Sequence, residues 1–290
     1  MPDSVKTTDI LRRLSLAACA CLCLSSCSPV STKNPQRGLV LISETEEFQI
    51  GGQFAASIEK AAREGKIELL EPPDAYLHSL GMQLVEVSKR PNVPLRLFII
   101  NDVTVNAFAV PGYIYVYRGL IEQAETESEF AGVIAHEIGH IVARHSAKKI
   151  SQAAALSLGE DLFLAIVFGN SSAAGLARIG GDLIVTGTIK KYNRDEERQA
   201  DLLAVEECVA AGIAPEGIVT LFKKFEELFK EKPNALELFF ADHPYSRERY
   251  ENVSRYIKEL KIKTKLEPDR PAYQQFRHGV MNFPKPKEKK

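Results

Sequence analysis

Residues 125–141 read Glu-Thr-Glu-Ser-Glu-Phe-Ala-Gly-Val-Ile-Ala-His-Glu-Ile-Gly-His-Ile, and this stretch decides how the chain is understood. Its apolar spacing predicts one helix over 125–150. On a wheel of about 100° per residue, Phe130, Val133, Ile134, Ile138 and Ile141 form a single apolar arc. Glu137 falls inside that arc, one turn from Val133 and one turn from Ile141. An ionised carboxylate there, left unpaired, costs on the order of several kcal/mol. Packing does not explain it, so a compensating group must lie beside it. His136 and His140, spaced i and i+4, sit at the edge of the same arc, where their imidazoles can converge on one point.

Two neutral imidazoles at ~2.0–2.1 Å suit Zn²⁺, and a glutamate beside them is placed to take a proton from a polarised water. His136-Glu137-Ile138-Gly139-His140 is thus the H-E-x-x-H pattern of metalloproteases. A catalytic zinc takes three protein ligands and keeps one position open. His145 is not at the spacing of a third ligand histidine. It returns to the apolar side of the helix and reads as a satisfied structural histidine. The acidic run Asp195-Glu196-Glu197-Arg198-Gln199-Ala200-Asp201 is the better source. Asn193 as N-cap with Glu196 three residues on makes a capping box, which accounts for Asp195 and Glu196 through the helix dipole. It leaves Glu197 and Asp201, one turn apart on one face, as a ligand and its supporting carboxylate.

The rest of the 290 residues frames this site. Lys plus Arg number 37 against 38 Asp plus Glu, with 45% hydrophobic residues, which excludes extensive disorder and excludes nucleic-acid binding by bulk positive charge. Of five cysteines, at 19, 21, 23, 27 and 208, four crowd the N-terminus, so no disulfide framework is expected. Lys6, Arg12 and Arg13 precede an apolar run over 14–24, too short to span a bilayer and suited to a signal peptide. Leu24-Ser25-Ser26-Cys27 resembles a lipobox, which makes 1–26 a lipoprotein signal and Cys27 the lipidated first residue. Residues 27–44 read as a tether, 45–262 as the catalytic domain and 263–290 as a C-terminal tail, whose end, 284–290, is solvated and basic. Helices are expected over 48–64 (weakened by Gly51-Gly52), 75–89, 193–211, 215–230 and, last, 247–261, with strands over 94–100 and 113–117. The uncharged, Gly-rich segment 162–177 reads as a buried hairpin or a flap over a cleft.

Three blocks carry a family resemblance: Asn106-Ala107-Phe108-Ala109-Val110-Pro111-Gly112-Tyr113-Ile114-Tyr115-Val116, then Val133 through His140, then Tyr192 through Asp201. His243-Pro244 with Arg249 adds a weaker fourth. In this order they resemble the zinc metallopeptidases of the CAAX-prenyl-protease, HtpX and BepA/LoiP type, peptidase family M48. The resemblance implies an α+β, mainly helical, zincin-like (gluzincin) domain with a small sheet beside the metal helix. It implies one Zn²⁺ held by His136, His140 and Glu197, with Glu137 as general base and Asp201 orienting a histidine. His243 either stabilises the oxyanion or closes the site as a fourth ligand. Asn106 and Arg249 are expected to bind substrate, Asn106 alternatively holding a turn. This chain departs from the common pattern at Tyr113, Asn193, Gln199 and Asp242, none of them a ligand.

The expected function is a lipid-anchored endopeptidase at the periplasmic face of the outer membrane, acting on unfolded or misassembled envelope proteins. Its expected partners are protein substrates, the membrane and outer-membrane assembly machinery. The edge of strand 113–117 is expected to pair with an extended substrate. The competing class is a chaperone-like lipoprotein that binds outer-membrane precursors with its zinc site shut by His243. A structural zinc domain is disfavoured by the lack of cysteines. An intramembrane protease is disfavoured by the lack of apolar spans of about 20 residues after the signal.

Overall fold

The computed structural model describes residues 30–71, 75–157, 192–244, 247–263 and 266–286. The signal peptide, Cys27 and the 162–177 segment lie outside them. Helix α1 (Glu44–Arg63) opens on a complete capping box between Ser43 and Glu46, four residues before the expected start. Gly51 does not weaken this helix so much as let it pass the sheet, since a Cβ there would meet the Pro111 carbonyl oxygen at 1.8 Å. Then follow β1 (Leu69–Leu70), α2 (Tyr76–Glu86), β2 (Arg96–Ile100), β3 (Ala107–Val110), β4 (Tyr113–Tyr117) and α3 (Arg118–Gln123).

The four strands form one sheet in the order β1-β2-β4-β3. β2 pairs parallel with β4, Ile99 opposite Val116, while β3 pairs antiparallel with β4, Ala109 opposite Ile114. Strand 113–117 is therefore interior, with β3 at the edge, which corrects the expected substrate edge. β3 escaped detection because all four of its residues are buried, so it shows no alternation. Period-two alternation nonetheless sorts the sheet's faces. Ile99, Ala107, Ala109, Ile114 and Val116 join the main core, whereas Ile100, Phe108, Val110 and Tyr115 pack with Ile50 and Phe54 of α1.

The main core surrounds α4 (Glu127–Val142), capped by Thr126 and Glu129, and every one of its 16 residues is buried. The predicted 125–150 helix is in fact two. The chain breaks at Arg144, whose φ is +56°, and resumes as α5 (His145–Ser157). A left-handed arginine is unfavourable by itself. Here its guanidinium is held by the buried Glu47 carboxylate at 2.7 Å and the Ile42 carbonyl at 2.9 Å.

Helices α6 (Arg194–Ala210), α7 (Glu216–Glu231), a 3-10 turn, α8 (Glu237–Asp242) and α9 (Arg247–Leu260) follow. A further helix, α10 (Pro271–Met281), puts Tyr273, Phe276 and Val280 into the main core. The buried Arg118 donates to the carbonyls of Met281, Phe283 and Pro284. Residues 271–284, beyond the expected domain boundary at 262, are thus part of the folded body. The proposed tether is also partly docked: Lys148 Nζ donates to the Pro35 carbonyl and Leu41 N–H to Ser151. Among the described residues no helix is long and apolar enough to cross a membrane.

Candidate metal centre and active site

α4 and α6 cross at small residues. A Cβ on Gly139 would lie 3.0 Å from the Ala200 carbonyl oxygen and 3.1 Å from its Cα. That close crossing sets His136 and His140 of α4 opposite Glu197 and Asp201 of α6. The N-terminus of α6 forms as read from sequence, with Asn193 accepting from the Asp195 and Glu196 N–H groups and Glu196 reaching back to Asn193 N–H. Capping leaves Glu197 and Asp201 free to turn inward, and both are buried.

Four groups converge. His136 Nε2 and His140 Nε2 are 3.0 Å apart, and they lie 3.5 and 3.4 Å from Glu197 carboxylate oxygens. His243, on the turn after α8, brings Nδ1 to 3.4 Å from His136 Nε2 and 3.2 Å from Glu197 Oε1. Tetrahedral donors at ~2.0–2.1 Å from an ion stand roughly 3.3 Å from one another. The observed spacings match, and bare imidazole nitrogens at such distances repel unless a cation lies among them. Three imidazoles and a carboxylate, all buried, are a donor set suited to zinc.

Each ligand is aimed by a neighbour. His136 Nδ1–H donates to Asp201 at 3.0 Å. Arg249 clamps Asp201 through two bonds, at 2.9 and 2.7 Å, and reaches Glu197 Oε2 at 2.6 Å. Expected to meet substrate, Arg249 instead faces the carboxylates of the site from a buried position. Burial pushes the Glu197 carboxyl up, but Arg249 and His243, with the close imidazoles of His136 and His140, overcome it and hold Glu197 well below the usual carboxylate range. The same opposition, won by Arg249 and His136, holds Asp201 below its ordinary value. Asn106 donates to Asp242, next to His243, so it secures the His243 turn.

Glu137 is different. It is fully buried, neither of its oxygens has a hydrogen bond among the described residues, and Oε1 stands 3.4 Å from His243 Nε2. Burial pushes its carboxyl up, which is the condition of a base poised to take a proton. A cavity of about 30 Å³ beside His136 and Glu137 is walled by Val133, Ile218, Leu221, Phe222 and Phe239.

Some partners were not legible in the sequence. His145, read as structural, contacts His140 Nδ1 at 2.8 Å. Gln199 contacts His145 in turn at 2.9 Å. The Tyr192 ring lies flat on the His140 ring at 3.6 Å between centroids. On the edge of β3 that no strand covers among the described residues, His243 Nε2 meets the Ala107 carbonyl at 3.3 Å and Tyr192 Oη the Ala109 carbonyl at 3.5 Å.

A helix bearing two histidines and an inward glutamate, a third ligand (a carboxylate) from a second helix and a sheet alongside define the zinc metallopeptidase class. Residues 71–257 match the model of Peptidase family M48, and the chain belongs to that family. It is 28% identical over 194 residues to the mitochondrial metalloendopeptidase OMA1 of Schizosaccharomyces pombe, covering 66% of this chain and 55% of that one. It is 27% identical over 216 residues to the β-barrel assembly-enhancing protease of Escherichia coli, covering 72% of this chain and 43% of the other. To the metalloprotease LoiP of Escherichia coli it is 31% identical over 158 residues, 51% of this chain and 57% of that one. The chain thus spans about half the length of the curated relatives it matches.

Proposed function

We propose that this protein is a zinc-dependent endopeptidase with His136, His140 and Glu197 as the metal ligands. The observation that carries the reading is Glu137, buried and without a hydrogen bond beside a four-donor cluster. Zinc in that cluster supplies Lewis-acid polarisation of a water and of the scissile carbonyl. Glu137 accepts the proton of the attacking water and passes it to the leaving amine. Asp201 and Arg249 hold His136 and Glu197 in place throughout. Glu137→Gln is expected to keep its zinc and to cleave unfolded casein about 10²–10⁴-fold more slowly. Unchanged cleavage by that variant would remove the mechanism, and a full zinc content after His136→Ala would remove the ligand set.

The biological setting is part of the same proposal. A lipidated Cys27 anchors the enzyme at the periplasmic face of the outer membrane, where it removes unfolded or misassembled envelope proteins. The lipobox-like sequence supports the anchor. The relative named for enhancing β-barrel assembly supports outer-membrane precursors as substrates and the assembly machinery as a partner.

One observation favours a second state of this site. His243 Nδ1 stands where a fourth ligand would, and His243 and Tyr192 together cover the β3 edge to which an extended substrate would add. In this reading the site is shut at rest, and a shut protein acts by binding its clients. His243→Ala separates the roles. Faster casein cleavage marks His243 as a closing ligand, whereas slower cleavage marks it as an oxyanion donor.

A further inference from the structure

The two ligand histidines are aimed by different chemistry. His136 leans on the carboxylate of Asp201, itself clamped by Arg249. His140 leans on another histidine and, among the described residues, has no carboxylate on its Nδ1 side. The direction of every bond in that second chain follows from its far end.

The far end is the Ser31 carbonyl, 2.6 Å from Gln199 Nε2. A carbonyl only accepts, so the amide nitrogen of Gln199 must face it; the flipped amide would press two acceptor oxygens together. Gln199 Oε1 is thereby turned to His145 Nε2, at 2.9 Å. That oxygen also only accepts, so His145 carries its proton on Nε2 and leaves Nδ1 bare. The 2.8 Å contact between His145 Nδ1 and His140 Nδ1 then needs its proton on His140. With Nδ1 protonated, His140 presents a bare Nε2 to Glu197 and His136, the form a metal requires.

We propose that Gln199 and His145 are positioning residues that fix the tautomer of His140 through an uncharged relay ending on the Ser31 carbonyl. The proposal rests on His140 being a zinc ligand, as argued above. It explains two features that the capping and packing of α6 leave open: why an amide rather than a carboxylate stands at 199, and why the chain breaks at Arg144. The break sets His145 beside His140 instead of carrying it around one continuous helix.

The test uses the full chain and zinc itself. In the metal-free wild-type protein, long-range ¹H–¹⁵N correlation spectra are expected to show His140 protonated on Nδ1 before zinc is added. A His140 protonated on Nε2 overturns the proposal, and this readout needs no variant to fold. Chelator competition is expected to show zinc binding weakened about 10–100-fold in Gln199→Leu and His145→Leu. His145→Asn, whose side-chain oxygen replaces Nδ1 as acceptor, is expected to restore affinity to within a few-fold of wild type. Wild-type affinity in His145→Leu overturns the relay. Wild-type affinity in His140→Ala as well would show that the ligand assignment, not the relay, is at fault.

Discussion

At the scale of single residues, the site is organised by which buried polar groups have partners. Arg249 is hydrogen-bonded to Asp201 and ion-paired with Glu197, whereas the oxygens of Glu137 have no hydrogen bond among the described residues. Glu207 is likewise buried without a hydrogen bond among the described residues, but only Glu137 of the two lies beside the four-donor cluster, and that position marks it as the group that moves a proton. His145 makes a second prediction at this scale. Burial, helped by nearby Lys148, pushes it from 6.5 down to about 3. The fold holds its neutral form, so its contribution to stability is complete above about pH 6.5 and is lost as pH falls from there toward about 3. Urea unfolding of zinc-free protein at about pH 8 and about pH 5 measures this. The loss of stability between the two is expected to be about 2 kcal/mol smaller in His145→Asn than in wild type. Equal losses would mean that His145 is charged in the fold.

At the scale of elements, the crossing of α4 and α6 is the feature on which the ligand spacing depends. Gly139→Ala gains about 1 kcal/mol of helix propensity, yet its new methyl meets the backbone of Ala200 at 3.0 Å. The gain is local and the displacement falls on Glu197 and Asp201. Zinc affinity is therefore expected to drop several-fold while the zinc-free protein melts within a few degrees of wild type. Unchanged affinity would show slack between the helices. The ligand-bearing blocks were legible in the sequence because they break the pattern around them. Glu137 interrupts an apolar arc, and Glu197 and Asp201 are surplus to the capping box. The His145–Gln199 contact was not legible. It depends on a left-handed turn at an arginine, which carries no local signal and is stabilised by Glu47 nearly a hundred positions away. β3 hid for a related reason, since four consecutive buried residues look alike in any conformation.

At the scale of the whole molecule, both ends of the described residues are pinned to the body. The arginine, glutamines and histidine of α10 dilute its apolar pattern, yet three of its side chains complete the core around Phe130. Ending the chain after Leu260 removes Tyr273, Phe276 and Val280 together. It is expected to cost several kcal/mol, at about 1.5–3 kcal/mol for each large side chain, and to abolish cooperative melting. If the truncated chain melts normally, α10 is dispensable to the core.

The other pinned end sets a leash length. Ser31 and Thr32 are bonded to Gln199 and Glu206 on α6, so only a few residues separate the body from Cys27. Even fully extended at ~3.3–3.6 Å per residue, that stretch reaches roughly 14 Å. With the lipid on Cys27, as proposed, the back of the metal centre rides close against the bilayer and the enzyme cannot patrol the space beyond it. A flexible insert of about ten residues between Cys27 and Ser31 would lengthen the reach to roughly 45 Å. It should leave cleavage of soluble casein intact while slowing that of substrates stalled at the membrane, and equal loss of both would argue against a leash.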